Sequence, residues 1–279
     1  MINLLFCGND GVFDGILTCL LSILNRSGPD NAYAVTLLTM DVRHLSPAYL
    51  PVTDAHVELL ETVLRKQNPD SSVRRLDVTA LYMGQFAGCP NEGAYCSPYT
   101  LIRLFADQVD MPDRFLYLDA DILFNRDIRL LYDQDIEGYE YAAARDHYGK
   151  YLIHPRYINA GVVLFNMAEC RRTGLFEKAR AWICKQKLVF ADQSALIRST
   201  TRKKMLPQRF NDQKFLHGHT VVRHFSKRLF WFPYPHTDNV KQWQVDRVHA
   251  VFHYHQFDDI LNEYLDWKTL AEGGLYGTV

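Results

Sequence analysis

The stretch FLYLDAD, residues Phe115–Asp121, joins an apolar run of four residues to two acids that stand one residue apart. Such a run predicts a strand buried on both faces, and open α/β sheets bind ligands just beyond the carboxyl ends of their strands. Side chains two positions apart on an extended backbone point the same way, so Asp119 and Asp121 can converge on one cation. Hard divalent ions suit this arrangement, since they take one or two protein carboxylates and complete their shell with water and phosphate oxygens. Two acids of a surface turn are the alternative, because Asp-x-Asp is common.

Strand and helix patterns alternate on both sides of this stretch. Ile2 to Phe6 predicts a buried strand, and after the turn cluster Gly8 to Gly11 apolar residues recur at helical spacing. Further strands are predicted at residues 35–38, 73–78, 139–144 and 162–165, and further helices at residues 57–64, 97–105 and 175–183. This alternation predicts an α/β fold with a mostly parallel, Rossmann-like central sheet flanked by helices. From about residue 217 the chain is rich in aromatics and histidines, with breaks at Pro233 and Pro235, and predicts an irregular cap with two closing helices.

Composition excludes some classes of partner. The 279 residues are 48% hydrophobic and carry a formal net charge of −1 without a block of Lys or Arg, so a nucleic-acid-binding footprint is missing. The N-terminus shows neither a basic leader nor a cleavage pattern, and no apolar run approaches the length of a spanning helix. We therefore expect a soluble, cytoplasmic protein with at most peripheral contact at the inner face of a membrane.

The cysteines are scattered through the chain and form no CxxC pair. Most lie within apolar patterns, which predicts buried thiols in a reducing compartment and argues against zinc. The six positions are Cys7, Cys19, Cys89, Cys96, Cys170 and Cys184.

Four blocks in order resemble glycosyltransferase family 8, the retaining, nucleotide-sugar-dependent enzymes of GT-A fold that include bacterial lipopolysaccharide galactosyl- and glucosyltransferases and glycogenin. The resemblance implies a GT-A domain over residues 1–225 and places residues 226–279 in a C-terminal extension packed on the same domain. The blocks are YLDADIL at residues 117–123, YINAGVVLFN at residues 157–166, ADQSAL at residues 191–196 and VVRHFS at residues 221–226.

The resemblance implies a metal and a donor. Asp119 and Asp121 would bind a divalent ion, with His224 completing the protein ligands, and the imidazole would favour Mn²⁺ over Mg²⁺. Packing beside Phe225 is the alternative role for His224. The donor would be UDP-glucose or UDP-galactose, and the acceptor a saccharide, lipopolysaccharide or other glycolipid.

The resemblance also assigns residues around the donor. Asn159, Ala160 and Gly161 would form a tight turn against the sugar, while Arg103 and Asp146 would lie near its hydroxyls and phosphate. Gln193, beside Asp192, would lie on the face opposite the leaving phosphate. Because an amide is a poor nucleophile, we expect a front-face mechanism through an oxocarbenium-like state. The alternatives are an N-cap role for Asp192 and plain surface charges for Arg103 and Asp146.

Two departures from the family pattern bear on the nucleotide. The family follows its metal histidine with Gly and then Lys-Pro-Trp, whose lysine meets the diphosphate, whereas residues 224–231 read HFSKRLFW. Lys227 or Arg228 would supply that charge. Near the N-terminus an Asp normally contacts uracil, and here Asn9 stands at that place with Asp10 after it. The predicted donor-binding set is completed by Cys7, Gly8 and Ala120.

Two other functions fit parts of the sequence. A haloacid-dehalogenase-type phosphatase or phosphotransferase also carries Asp-x-Asp after a buried strand, but its motif lies near the N-terminus and has Thr or Val where Leu123 stands. A non-catalytic protein that binds sugar nucleotides or glycans could use the same fold, since a fold does not fix an activity.

Overall fold

A computed structural model describes residues 1–93, 97–230, 232 and 234–272. The strands are β1 (Ile2–Cys7), β2 (Tyr33–Thr39), β3 (Ser72–Asp77), β4 (Arg114–Leu118), β5 (Ile122–Phe124), β6 (Tyr141–Arg145), β7 (Ile158–Asn166), β8 (Lys203–Leu206), β9 (Val222–His224), β10 (Arg228–Phe230) and β11 (His236–Asp238). The helices are α1 (Phe13–Arg26), α2 (Asp54–Gln67), α3 (Thr79–Gln85), α4 (Arg129–Tyr132), α5 (Gly149–Leu152), α6 (Met167–Thr173), α7 (Leu175–Lys185), α8 (Ala191–Ser199), α9 (Val245–Phe252) and α10 (Asp258–Glu272).

Seven strands form the central sheet, in the order β3-β2-β1-β4-β7-β6-β8. Neighbouring strands are parallel except at β7, which runs antiparallel to both β4 and β6. The prediction of a mostly parallel sheet is therefore confirmed.

Strand β4 lies in the middle of this sheet, and its side chains alternate between two apolar cores. Leu116 and Leu118 point into the core that α1, α2 and α10 cover, whereas Phe115 and Tyr117 point into the core under α7 and α8. All four side chains are at most 1% exposed. A strand covered on both faces needs apolar residues at every position, which is what the FLYL run provides.

Beyond the carboxyl end of β4 a second, two-stranded sheet begins. Strand β5 pairs with β9 in antiparallel register, with Ile122 opposite His224. This pairing carries a segment about one hundred residues downstream back to the acidic end of β4. A hairpin of β10 and β11, which the sequence did not predict, follows β9.

The chain after residue 225 packs on α1 through its last helix. Arg26 bonds Asp259 at 2.6 Å, Asn25 bonds Glu263 at 2.8 Å, and Lys268 bonds Asp14 at 3.0 Å. The expected pair of closing helices is thus present as α9 and α10. Within the described ranges, no helix is both long and apolar enough to cross a bilayer.

Some local predictions need correction. The helix expected at residues 97–105 is a 3-10 helix, Pro98–Phe105, although Ser97 caps it as the pattern suggests by accepting a bond from the Tyr99 amide. Of the described cysteines, Cys19 and Cys170 are buried as predicted, whereas Cys7 and Cys89 are half-buried. Cys184 is exposed, because it lies about 100° around α7 from the buried Ile183. Predictions for Cys96 and Pro233 lie outside the described residues.

Candidate metal centre

Three side chains with metal-binding atoms converge beyond β4. Asp119 and Asp121 follow that strand, and the β5–β9 pairing brings His224 against them. The His224 Nε2 atom lies 3.0 Å from an Asp121 oxygen and 3.9 Å from an Asp119 oxygen. One ligand atom from each residue lies within 4.8 Å of the others, so a single ion could contact all three.

Gly161 on β7 makes this close approach possible. A Cβ atom at this position would lie 2.4 Å from His224 Cε1 and 2.7 Å from Asp119 Oδ2, well inside van der Waals contact. The Gly161 carbonyl also accepts the Asp119 amide at 2.8 Å, which fixes the backbone at the start of the acidic turn. Any larger residue at position 161 would displace the histidine or the carboxylate.

A chain of hydrogen bonds determines which nitrogen of His224 faces the carboxylates. The Gly161 amide donates to Asn159 Oδ1 at 3.0 Å, and an N–H can only donate, so this Asn159 atom must be the oxygen. The Asn211 amide nitrogen donates to the same oxygen at 2.9 Å, which leaves Asn211 Oδ1 against His224 Nδ1 at 3.0 Å. Because that oxygen only accepts, Nδ1 carries a proton.

In the neutral imidazole the lone pair therefore lies on Nε2, toward the carboxylates. A lone pair 3.0 Å from an Asp121 oxygen leaves two acceptors in contact, an arrangement that requires a proton or a cation between them. A carboxylate pair with one imidazole is a donor set that suits Mn²⁺, and a second hydrogen bond on the other ring nitrogen is typical of metal-ligating histidines. The residues thus fit a divalent ion.

The oxygens of Asp119 are divided between two environments. Its Oδ1 accepts bonds from Tyr117 Oη at 2.6 Å and from Arg103 Nη2 at 3.1 Å. Its Oδ2 remains on the His224 side. Burial acts to lower the pKa of the Arg103 guanidinium, but the neighbouring acids raise it overall, and its planar group stacks 3.8 Å from the Tyr117 ring centroid. Arg103 is therefore a fixed cation behind the metal centre.

Arg103 links this centre to the start of α8. Its Nε lies 3.2 Å from the Asp192 carboxylate, and its Nη1 donates to the Ala160 carbonyl at 2.5 Å. Burial raises the pKa of Asp192, and the nearby Arg103 opposes that rise. The Gln193 side-chain oxygen accepts the Ala160 amide at 2.9 Å. The predicted donor-side residues Ala160, Asp192 and Gln193 are thus brought together around one arginine.

Asp146 uses both carboxylate oxygens locally. One accepts the amides of Tyr148 and Gly149 at 3.0 and 2.6 Å, and the other accepts the Asn159 side-chain amide at 3.0 Å. Asp146 thereby holds the first member of the hydrogen-bond series Asn159–Asn211–His224. Its predicted place near the donor sugar and phosphate stays a prediction, and its visible contacts position Asn159.

Lys241 belongs to the site, and the sequence argument missed it. Its ammonium group lies 2.5 Å from the Asp121 carboxylate and 3.3 Å from the Phe225 carbonyl. Burial acts to raise the pKa of Asp121, but the ammonium group of Lys241, together with His224 in its protonated form, holds that pKa well below its usual range. Next to it, the buried Gln242 donates to the Ala120 carbonyl at 2.7 Å. The chain beyond the β10–β11 hairpin therefore completes the acidic turn.

The signal for Lys241 was present in the triplet Lys241-Gln242-Trp243, which resembles the family's Lys-Pro-Trp with Gln for Pro. It was missed because the hairpin separates it from His224. Arg228, at the start of β10, instead stacks over the rings of Phe230 and Phe252, with its guanidinium carbon 5.4 and 5.0 Å from their centroids. The assignment of Lys227 or Arg228 to the diphosphate stays a prediction with Lys241 as its competitor.

The loop after β1 holds the other predicted nucleotide contacts. Burial raises the pKa of the Cys7 thiol, and a Cβ at Gly8 would lie 2.3 Å from Val12 Cγ2. Asn9 donates to the Ala48 carbonyl at 2.9 Å. Asp10 lies 2.6 Å from His56 Nδ1. These contacts tie the loop to α2 and to the segment before it, and the predicted contact with uracil stays a prediction.

Comparison with known proteins agrees with this geometry. The family model "Glycosyl transferase family 8" matches residues 3–224. Glycosyltransferase GlyA of Streptococcus pneumoniae serotype 4 is 32% identical over 103 residues, a match that spans 35% of this chain and only 14% of that protein.

Solved structures of low sequence identity share the fold. The galactosyltransferase LgtC in complex with donor and acceptor sugar analogues superposes with a TM-score of 0.67 at 19% identity, covering 100% of this chain and 97% of that one. The bifunctional glycosyltransferase WbbM superposes with a TM-score of 0.68 at 16% identity, covering 95% of this chain and 51% of that one. The predicted GT-A architecture is confirmed, and the chain belongs to glycosyltransferase family 8.

Proposed function

We propose that this protein is a retaining hexosyltransferase that moves glucose or galactose from a UDP-sugar to a saccharide or glycolipid acceptor. The observation that supports it most is the convergence of His224 Nε2 with the carboxylates of Asp119 and Asp121, at 3.9 and 3.0 Å, where a proton or a cation must lie between the imidazole and Asp121. Family 8 membership supports glycosyl transfer as the reaction, and to this we add the UDP-sugar donor and retention of the anomeric configuration as proposals.

Asp119, Asp121 and His224 would hold the divalent ion, with Mn²⁺ preferred over Mg²⁺ because imidazole is a softer ligand than carboxylate. The bound ion would act as a Lewis acid that offsets the charge of the departing diphosphate. Gly161 gives these ligands room, and Asn211 orients the imidazole.

Lys241 is the side chain that we assign to the diphosphate. Its ammonium group already pairs with the metal-binding carboxylate of Asp121, and its side chain is 21% exposed, so its charge lies at the edge of the site. A phosphate oxygen offers the same charge-assisted hydrogen bond as the carboxylate. Turning from Asp121 to the phosphate would let Lys241 stabilise the leaving group.

Around the sugar, Gln193 and the Arg103–Asp192 pair would position the donor. The hydrogen bond from the Ala160 amide fixes the Gln193 side chain, and a neutral amide is a weak nucleophile. We therefore assign Gln193 an electrostatic role toward the oxocarbenium-like state, with attack and departure on one face of the sugar. Asn159, held by Asp146, would contribute amide contacts near the same face.

The phosphatase hypothesis is inconsistent with family 8 membership. Non-catalytic sugar-nucleotide binding stays a second candidate, because the altered Lys-Gln-Trp block departs from the family pattern.

The test is incubation of the protein with UDP-glucose or UDP-galactose and Mn²⁺, followed by measurement of released UDP, with Asp121→Asn as the control variant. Release of UDP by the native protein but not by the variant supports the proposal. Tight UDP-sugar binding without any release of UDP favours a binding protein, and turnover of p-nitrophenyl phosphate points back to a phosphatase.

A further inference from the structure

A second group of metal-ligating side chains lies on the C-terminal helices. His249 belongs to α9, Asp258 begins α10, and His255 lies in the short segment between them. One ligand atom from each lies within 4.8 Å of the others. No residue of the Asp119–Asp121–His224 centre takes part, so this cluster is a separate arrangement of two imidazoles and one carboxylate.

The distances within the cluster are close to those of a tetrahedral site. Metal–ligand bonds of about 2.0 to 2.1 Å at a tetrahedral angle place neighbouring ligand atoms about 3.3 Å apart. His255 Nδ1 lies 3.3 Å from one Asp258 oxygen, and His249 Nε2 lies 2.7 Å from the other. Because the two imidazoles contact different oxygens of Asp258, an ion bound through the oxygen beside His255 keeps that 3.3 Å spacing, and His249 must leave its present hydrogen bond to reach the ion.

The two imidazoles approach the same carboxylate from one side. Their rings stack with centroids 4.5 Å apart and planes 27° from parallel. His255 is 67% exposed at its side chain, His249 31% and Asp258 38%, so an ion can enter from solvent. The neighbouring cation, Arg26, pairs with Asp259 at 2.6 Å, and that carboxylate offsets its charge.

We propose that His249, His255 and Asp258 bind a transition-metal ion of the Zn²⁺ class, with the fourth coordination position open to water. Imidazole nitrogens suit Zn²⁺, Ni²⁺ and Cu²⁺ better than Mg²⁺ or Ca²⁺. The scattered cysteines predict no zinc site, whereas this cluster consists of two histidines and an acid that the fold assembles.

The position of the cluster gives the ion a structural role. It joins α9 to α10, and α10 is bonded to α1 through Asp259. In α9, Phe252 packs against Phe225, the residue after His224, with ring centroids 5.8 Å apart. A bound ion would therefore hold α9 and α10 together next to Phe225, the residue after His224. This inference concerns the extension alone and does not depend on the proposed function.

The test isolates the second site. In the full-length chain, Asp121→Asn and His224→Asn together remove ligands from the first centre and form the background protein. Zn²⁺ is titrated in competition with a chromophoric chelator, and we expect one equivalent to bind. Adding His255→Gln should weaken that binding by at least about 100-fold, because loss of a direct ligand costs more than the 10- to 100-fold effects of outer-shell changes.

His253→Asn is the matched control. This histidine lies between the two ligands, outside the cluster, with a φ of 55° that asparagine tolerates. Zinc binding should be unchanged in this variant. Far-UV circular dichroism confirms that each variant is folded, and since His255 is largely exposed its replacement is expected to leave the fold intact.

Cobalt provides an independent readout, because Co²⁺ in a tetrahedral site with nitrogen ligands has characteristic visible absorption. The background protein should show these bands, and His249→Gln should abolish them. Zinc affinity that is equal in the background and in His255→Gln, or a background protein that binds no zinc, would overturn the proposal.

Discussion

Replacing Gly161 with alanine tests the geometry of the metal centre by adding a single methyl group. The new Cβ would lie 2.4 Å from His224 Cε1 and 2.7 Å from Asp119 Oδ2. Ordinary contact needs about 3.4 Å or more, so the histidine or β7 must shift by about 1 Å. His224 is only 3% exposed, so no open space receives it.

The expected cost has two parts. Overpacking of a closed site typically lowers the free energy of unfolding by about 1 to 3 kcal/mol. Metal–ligand distances tolerate deviations of only about 0.2 Å, and a shift of about 1 Å exceeds this. We therefore expect Mn²⁺ binding to weaken by at least the 10- to 100-fold that is typical of outer-shell changes, which corresponds to about 1.4 to 2.7 kcal/mol.

The assay is electron paramagnetic resonance of free Mn²⁺ during titration of the protein, together with urea unfolding. Gly84→Ala is the matched control, because Gly84 lies in α3 and a Cβ there meets nothing within 4 Å. The control should keep native Mn²⁺ affinity and native or slightly higher stability. A Gly161→Ala protein that binds Mn²⁺ as tightly as the native chain would refute the argument that this glycine makes room for the ligands.

Four further predictions test other parts of the site and fold. Asn211→Ala should weaken Mn²⁺ binding by about 10- to 100-fold in the same titration, since the metal-ligating imidazole loses the acceptor that fixes its tautomer; native affinity would contradict the hydrogen-bond argument. Lys241→Met should weaken UDP binding by about 1.5 to 3 kcal/mol in calorimetry with saturating Mn²⁺, whereas Arg228→Met should leave UDP affinity unchanged. Loss of affinity in Arg228→Met but not in Lys241→Met would assign the diphosphate to Arg228 instead. Gln193→Ala should slow transfer by about 10- to 100-fold rather than abolish it, and complete loss would indicate a nucleophile. Burial acts to raise the pKa of Glu140, but hydrogen bonds from neighbouring threonines and a backbone amide lower that pKa overall, so the ionised carboxylate stabilises the fold at neutral pH and loses this effect as the pH falls through the folded pKa. Glu140→Gln should therefore lower the free energy of unfolding at pH 7 by about 1 to 3 kcal/mol in urea unfolding. The difference between native protein and variant should narrow below about pH 4, and a difference that does not change with pH would contradict this.

The sequence predicted those strands and helices whose apolar residues follow a regular pattern along the chain. The FLYL run required a strand covered on both faces, and its side chains do enter two cores. The direction of β7 was not predictable in the same way, because an apolar run buried on both faces looks alike in a parallel and an antiparallel strand. The composition of β7 does not indicate that it pairs with β4 and β6.

Within the site, the strand-end pattern indicated Asp119 and Asp121 as ligands, the resemblance added His224, and the supporting contacts are seen only in the fold. Asn211 lies in a matched segment, but its bonds to Asn159 and His224 depend on three-dimensional placement that spacing does not give. Lys241 was hidden by the β10–β11 hairpin, which lengthens the separation that the family pattern leads one to expect. Insertions of this kind change sequence spacing without moving the contact itself.

The central claim is metal-dependent sugar transfer with retention, and one proton NMR experiment tests it without knowledge of the acceptor. The protein is incubated with an α-linked UDP-hexose and Zn²⁺-free Mg²⁺, which replaces Mn²⁺ because Mn²⁺ broadens the NMR lines. Slow transfer to water releases free hexose, and its anomeric proton is followed before mutarotation mixes the anomers. We predict that the α-anomer appears first, and that EDTA or Asp121→Asn stops its release. First appearance of the β-anomer would contradict retention, and release that persists in EDTA would contradict the metal centre.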